Sequence, residues 1–206
     1  MARFKLSKSG LQEQRNQLKL YEKLLPSLDM KRRQLQLELK KAEDSLKAMR
    51  AATSALEAGI GAELPMIAAA GFDLGGMVRM TGIRVGTASV AGVKVPRLEG
   101  IDCEVASYSM LARPAWVDRL VDRLKEAAEQ RVRLRIEDER VHILMQAVRR
   151  ITQRVNLFGR ILIPRAKQNI KRIQIHLGDL DREGVIRSKL SKARHLQPQA
   201  APEDPA

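Results

Sequence analysis

Residues 154–170 read RVNLFGRILIPRAKQNI and place Gly159 and Pro164 inside a run with helical spacing. Glycine in a helix interior costs about 1 kcal/mol relative to alanine, and proline costs about 3 kcal/mol because its ring removes an N–H donor. The apolar residues nevertheless keep their spacing through both positions. The stretch therefore predicts one helix with a slight bend at Pro164, held together by packing against a partner helix.

The pattern extends in both directions over residues 114–195, where apolar side chains recur every seven positions. This spacing is typical of the buried seam of a coiled coil. Beyond residue 162 the apolar positions continue with a small phase shift, as in a stutter. The segment is predicted to be a C-terminal coiled-coil helix, with a seam that includes Leu120, Leu134, Val141, Val148, Val155, Phe158 and Leu162.

Residues 1–58 show the same repeat. Over seven heptads, eleven of the fourteen core positions are apolar, which predicts an N-terminal coiled-coil helix. Pro26 falls inside the repeat, and we expect a local bend there. Arg32 occupies a seam position, where it is a register device, a contact for an acidic partner or a snorkelling side chain. The predicted seam residues of this segment are Leu11, Leu18, Leu25, Leu28, Leu35, Leu39, Leu46 and Met49.

The middle segment, residues 59–113, has a different composition and holds nine of the thirteen glycines. MVRMTGIRV and ASVAGVKV alternate weakly at period two, with Gly86 between them and Pro96 after the second. This pattern predicts two short strands that form a β-hairpin, together with a short helix. Such a segment is too small for a core of its own and should lie against the helices. Residues 196–206 are polar and proline-rich and are predicted to be a disordered tail.

These elements predict a mostly α fold, a long antiparallel two-helix coiled coil with a small middle segment that contains a β-hairpin. Two long helices joined by a middle segment should pair antiparallel, because consecutive elements usually lie side by side. The expected shape is a rod with both termini at one end, which is unusual for an enzyme.

Charge and composition limit the possible partners. The 206 residues include 38 Lys and Arg against 24 Asp and Glu, a net charge of +14, and only 3% aromatics. This balance suggests a polyanion, an acidic protein surface or a membrane surface as partner. No stretch approaches the roughly 20 apolar residues of a membrane span, and the N-terminus lacks the apolar core of a secretory signal. The single cysteine, Cys103, excludes an intramolecular disulfide. We therefore expect a soluble cytoplasmic protein without direct membrane insertion.

Motifs for catalysis and cofactor binding are missing from the sequence. It has no G-x-x-x-x-G-K-[ST], G-x-G-x-x-G or H-E-x-x-H pattern, so we expect no catalytic residue, cofactor or metal site. Nucleic acid is disfavoured because aromatics for base stacking are scarce and the basic clusters are dispersed. Binding to a phosphate backbone stays open, since it requires only lysine and arginine.

Four patches of the sequence resemble the D subunit of the V-type rotary ATPases, in order and over nearly the whole chain. They are KSGLQEQRNQLKLYEK at the start, LDMKRRQL in the first helix, SVAGVKVPRLE in the middle segment, and RVNLF followed by IPRAKQNIKRI and VIRSKLSK near the end. The chain departs from the family pattern at Gly159, where an acidic residue is common, and in YEKLLPSLD, where the family is lysine-rich and proline-free.

The resemblance implies a rotor shaft without an active site. In such machines A and B subunits form a ring that hydrolyses or makes ATP, and the D subunit turns inside it. The D subunit pairs with the small F subunit and seats in a funnel-shaped connector on the membrane ring. The protein would then lie in the cytoplasm, peripheral to the inner face of the cell membrane. The matching motifs suggest contact residues for these partners: Lys31, Arg32, Arg33, Gly92, Val95, Pro96, Arg154, Asn156, Pro164, Asn169, Arg187 and Lys189.

Two other interpretations compete with the shaft. One is a stand-alone basic coiled-coil protein that binds nucleic acid or anionic membrane. The other is the gamma subunit of an F-type machine, against which the V-type signature of the middle segment argues. Co-purification with A, B and F subunits would separate a shaft from a stand-alone protein.

Overall fold

The computed structural model describes residues 5–66, 76–106, 114 and 116–196. The N-terminal helix α1 spans Lys8–Glu63, strands β1 and β2 span Val78–Val90 and Val93–Val105, and helix α2 spans Trp116–Asn156. A π-helix, Leu157–Leu162, joins α2 to helix α3, Ile163–Leu196. The predicted mostly α fold with a β-hairpin between two long helical regions is confirmed. Residues 67–75 and 107–113 of the predicted middle segment and residues 197–206 of the predicted tail lie outside the described residues. The short helix predicted within the middle segment stays a prediction.

Helix α1 is one element from Lys8 to Glu63, with Pro26 inside it. It therefore ends later than the predicted boundary at residue 58. Ser7 begins it, because the Ser7 Oγ accepts a hydrogen bond from the Gly10 N–H at 3.2 Å, as an N-cap serine does. The bend expected at Pro26 stays a prediction.

The hairpin is longer than the sequence pattern predicted. β1 and β2 pair antiparallel from Val78↔Val105 to Val90↔Val93, so β1 runs through Gly86 and β2 through Pro96. The prediction that Gly86 separates the strands and Pro96 ends the second was wrong. Each strand of a two-stranded sheet has a free edge, where a proline without an N–H is tolerated. At Gly86 the side chain of Glu99 lies across the position that a Cβ would occupy.

The turn of the hairpin requires an uncommon backbone conformation. Ala91 and Gly92 have φ values of +48° and +77°, as in the two-residue turns whose twist matches that of the flanking strands. Glycine adopts this conformation freely, whereas alanine does so at a cost. The strand pairing on both sides therefore holds Ala91 in place.

The chain divides into two compact units. The middle unit is Asp29–Gln153, and the terminal unit combines Met1–Leu28 with Arg154–Ala206. In the middle unit α1 and α2 run antiparallel, and ion pairs join Arg50 to Asp138 and Arg131 to Glu57, both at 2.8 Å. Its buried residues are Leu35, Ala42, Leu46, Thr53, Leu64, Met77, Val95, Val117, Leu120, Val121, Ala127, Val141, Leu144 and Ile151.

In the terminal unit the start of α1 packs antiparallel against the region after α2. The rings of Tyr21 and Phe158 meet edge to face, with centroids 5.4 Å apart, an arrangement that aromatic pairs favour. The buried residues of this unit, within its described part, are Gly10, Ala166 and Ile173. The described part of this unit therefore buries far fewer residues than that of the middle unit.

The π-helix explains how the chain passes Gly159 and Pro164. Helical turns continue through both, as predicted, but the six residues Leu157–Leu162 form a π-helix, which was not predicted. The Ile163 N–H bonds the Phe158 carbonyl, five residues back. Seam positions Ile151 and Phe158 lie seven apart, whereas Ala166 follows Phe158 by eight. The wide turn thus absorbs one extra residue and ends at Leu162, two residues before Pro164.

Candidate functional site

The predicted seam residues differ in burial between the two units. All fifteen predicted seam residues are at least half-buried. Leu35, Leu46, Leu120 and Val141 are the fully buried members, with 1 to 7% of their surface exposed. They belong to the middle unit, so the seam residues of the terminal unit, including Leu18 and Leu162, keep part of their surface in contact with solvent. The seam is therefore deep in one unit and shallow in the other.

The basic cluster of the first helix lies beside the hairpin turn. Arg32 and Arg33 both pair with Asp29, at 2.5 and 3.1 Å. The Lys31 Nζ lies 3.3 Å from the point where a Cβ on Gly92 would stand. The structure thus brings together Lys31 and Gly92, two of the suggested contact residues, although 61 positions separate them in the sequence.

The suggested contact residues of the hairpin differ in exposure. Val95 is 1% exposed, so it packs the hairpin against the rest of the unit and presents no surface to a partner. Pro96 lines a cleft of about 450 Å³ between β2 and the helices, together with Leu98, Ile101 and Ile136. Of this pair, Pro96 is the residue that a partner can reach.

The suggested contact residues of the C-terminal region are spread along it. Arg154, Asn156 and Pro164 are exposed. Asn169 is half-buried and donates a hydrogen bond from its side-chain nitrogen to the Gln14 Oε1, at 3.1 Å. This hydrogen bond places a polar layer in the shallow seam of the terminal unit, and a polar pair of this kind fixes helix register.

The last part of α3 has no helical partner in the described structure. Every residue from 179 to 195 is exposed, including Arg187 and Lys189. Four apolar side chains are exposed there by 45 to 57%: Leu180, Val185, Ile186 and Leu190. In the described structure α3 continues from residue 179 as a single helix, and the coiled-coil pairing predicted up to residue 195 stays a prediction. The sequence carries a signal for a single helix here, since the seam positions become Gly184, Arg187 and Ser191.

The two units differ in net charge, a difference that the sequence analysis did not predict. The described part of the terminal unit has sixteen Lys and Arg against five Asp and Glu, a net of +11. The described part of the middle unit has twenty against sixteen, a net of +4. Eleven ion pairs lie in the described part of the middle unit, and three lie in that of the terminal unit. The excess positive charge is thus concentrated where it is least paired.

One ion pair between the helices of the middle unit, Arg123 with Glu63, lowers the pKa of its carboxyl group. Arg123 donates to both carboxylate oxygens of Glu63, at 2.8 and 3.2 Å. This hydrogen bonding lowers the pKa of Glu63, with the charges of Arg123 and Arg119 adding to the effect and desolvation opposing it. A charge-assisted fork of this kind fixes the relative position of the two helices.

Within residues 5–66, 76–106, 114 and 116–196, no three His, Cys, Asp or Glu side chains are grouped so as to hold a metal ion. Over the same ranges, no helix combines the length and apolar character needed to cross a membrane.

Together these features define a class: a protein of two long helical regions, paired antiparallel within each unit, with a β-hairpin inserted between them. The chain belongs to the family of the ATP synthase D subunit, whose sequence model matches residues 10–193.

Three relatives are similar over nearly their whole length. The D subunit of the V-type ATP synthase of Borreliella burgdorferi is 32% identical over 193 residues, covering 94% of this chain and 95% of the relative. The V-type ATP synthase D subunit of Chlamydia caviae is 30% identical over 200 residues, covering 95% of each chain. The protein of the same name from Chlamydia muridarum is 30% identical, covering 95% of this chain and 98% of the relative.

Proposed function

We propose that this chain is the central rotor shaft of a V-type rotary ATPase or ATP synthase. It transmits torque between the A/B ring, where ATP is hydrolysed or made, and the ion-translocating ring in the membrane. It has no catalytic residue of its own and works at the cytoplasmic face of the cell membrane. The observation that carries the proposal is the family match over residues 10–193, combined with long helices that are joined across their seam.

Torque transmission requires that two paired helices do not slide past each other. In the middle unit, buried side chains such as Leu35 and Leu144 interlock in the seam, and a close-packed interior resists shear. Ion pairs from Arg50, Arg123 and Arg131 to α1 or α2 carboxylates cross between the helices. Exposed ion pairs contribute little stability singly, but their spacing along the pair opposes a change of register.

The proposed partners are the A and B subunits, the small F subunit and the funnel-shaped connector of the membrane ring. The exposed members of the suggested contact residues are available to them: Lys31, Arg33, Gly92, Arg154, Asn156, Pro164, Arg187 and Lys189. The end of α3, with its exposed Leu180 and Leu190, offers a partner an apolar surface as well as charge. A surface of mixed apolar and charged residues is typical of a non-permanent interface.

A rotation assay tests the proposal. The A and B subunits of the same organism are immobilised, the F subunit is added, and the chain carries Cys103→Ser with Arg97→Cys, so that a bead attaches to a hairpin position. ATP should drive stepwise rotation of the bead in one direction. ATP hydrolysis by the complex without rotation, or no association with the ring, would contradict the proposal. The competing stand-alone function would instead be indicated by tight binding to DNA or anionic vesicles with steep salt dependence.

A further inference from the structure

An acid-free basic surface lies in the terminal unit. Residues 154–178 contain no Asp or Glu and six Lys or Arg: Arg154, Arg160, Arg165, Lys167, Lys171 and Arg172. All six are exposed. Lys167 pairs with Glu22 at 3.3 Å. The other five have no carboxylate within 4 Å among the described residues. Among the described residues, five cations therefore stand unpaired on one section of the protein.

The neighbouring section of α1 supplies little of the missing negative charge, since it holds two carboxylates, Glu13 and Glu22, of which Glu22 pairs with Lys167. Arg15, Lys19 and Lys23 are exposed and lie four residues apart, a spacing that puts like charges side by side and destabilises a helix. In the middle unit, by contrast, several lysines and arginines of both helices have carboxylate partners. The charge imbalance is thus a property of the terminal unit, and a complementary surface would relieve it.

The basic surface also carries exposed apolar side chains. Leu157 and Ile161, in the π-helix, are 43% and 53% exposed, and Arg154, Arg160 and Arg165 lie close to them in sequence. Nucleic acid backbones need cations alone, whereas protein interfaces combine apolar contacts with a charged rim. The combination favours a protein as the occupant.

We infer that Arg154, Leu157, Arg160, Ile161 and Arg165 form a docking surface for a carboxylate-rich protein segment that also carries apolar side chains. This inference rests on the proposed function, because the A/B ring supplies the segment. The charges accelerate and orient docking, and they hold the contact weakly enough for a rotating part to leave it. The apolar pair gives the contact a component that salt does not screen.

Matched charge variants test the surface. The triple variant Arg154→Gln, Arg160→Gln, Arg165→Gln removes three exposed cations of the terminal unit. The control Lys40→Gln, Lys125→Gln, Arg135→Gln removes three cations of the middle unit that have no ion pair in the described structure. Both variants are checked for wild-type thermal melting, and their affinity for the purified A/B ring is measured from about 0.05 to about 0.5 M NaCl, the range over which screening of surface charge changes most.

The wild type and the control should bind with affinities within a factor of about three, falling as salt rises. The terminal-unit triple variant should bind at least about tenfold more weakly at low salt, with a much flatter salt dependence. The variant Leu157→Ser, Ile161→Ser should weaken binding at every salt concentration and leave its slope unchanged.

Three outcomes would overturn the inference while the proposed function stands: wild-type affinity of the terminal-unit triple variant, an equal loss in the control, or binding of a DNA duplex of about 30 base pairs more tightly than the ring at the same salt. Failure of the wild type to bind the ring would instead overturn the proposed function, and this inference with it.

Discussion

The two units of the chain share one heptad repeat and differ in almost everything that packing and charge add to it. The middle unit buries its seam, with Leu35 and Leu144 at 1% and 0% exposure, and pairs its charges across the helices. The terminal unit has a shallow seam, a polar layer at Gln14 and Asn169, and unpaired cations among its described residues. A regular repeat therefore specifies that two helices pair, but the side chains around it determine how firmly. We expect the middle unit to supply the rigidity and the terminal unit to supply the contacts with partners.

Deletion of one residue should give the largest difference in stability loss between the two units. Since the π-helix absorbs one extra residue, deleting Gly159 together with Pro164→Ala should restore α-helical spacing from Phe158 to Ala166. The expected loss is less than about 1 kcal/mol, because glycine and proline are both poor helix formers. Deletion of the exposed Arg135 with the same Pro164→Ala should cost more than about 4 kcal/mol, because it moves Val141 and the buried residues after it out of the seam.

Urea denaturation followed by circular dichroism measures both deletions. Equal losses would show that the π-helix is not a one-residue insertion in an otherwise regular seam. The Pro164→Ala variant alone is the reference for both.

Truncation of seam leucines should give the next largest effect. Leu144→Ala should cost about 3 kcal/mol, because it leaves a cavity at a residue with 0% exposure. Leu162→Ala, at a half-buried position of the terminal unit, should cost about 1 kcal/mol. The same denaturation experiment checks both values. A larger loss at Leu162 than at Leu144 would contradict the assignment of rigidity to the middle unit.

Substitution in the hairpin turn should change the stability by a smaller amount. Gly92→Ala puts a Cβ on a residue with φ +77°, within 3.3 Å of the Lys31 Nζ, and should destabilise the protein by about 1 to 2 kcal/mol. Gly59→Ala is the matched control, because nothing lies within 4 Å of its Cβ position and it lies inside α1. It should stabilise by about 0.5 to 1 kcal/mol. A neutral Gly92→Ala variant would mean that the turn tolerates a side chain at this position.

The sequence predicted the helices and the hairpin because their signals are local and periodic. It failed where the outcome depends on a neighbour. Gly86 and Pro96 are typical strand breakers. In this two-stranded sheet, however, the free edge tolerates Pro96, and Gly86 leaves room for the facing Glu99 side chain. The π-helix was visible only as a phase shift in the seam. The difference in net charge between the two units depends on which residues fold together.

The smallest expected effect tests whether the ion pairs of the middle unit contribute as proposed. Arg123 lowers the pKa of Glu63 through hydrogen bonding, so the pair should stabilise the folded state above the unfolded pKa of glutamate, about 4.3. This contribution should be lost as the pH falls through the lower, folded value. NMR titration of the Glu63 carboxyl should give a pKa below that of a free glutamate, and the Arg123→Gln variant should move it upward. The difference in melting temperature between the wild type and Glu63→Gln should shrink from about pH 6 to about pH 3. A Glu63 titration that Arg123→Gln leaves unchanged would mean that the fork does not form in solution, and the firm register of the middle unit would then rest on seam packing alone.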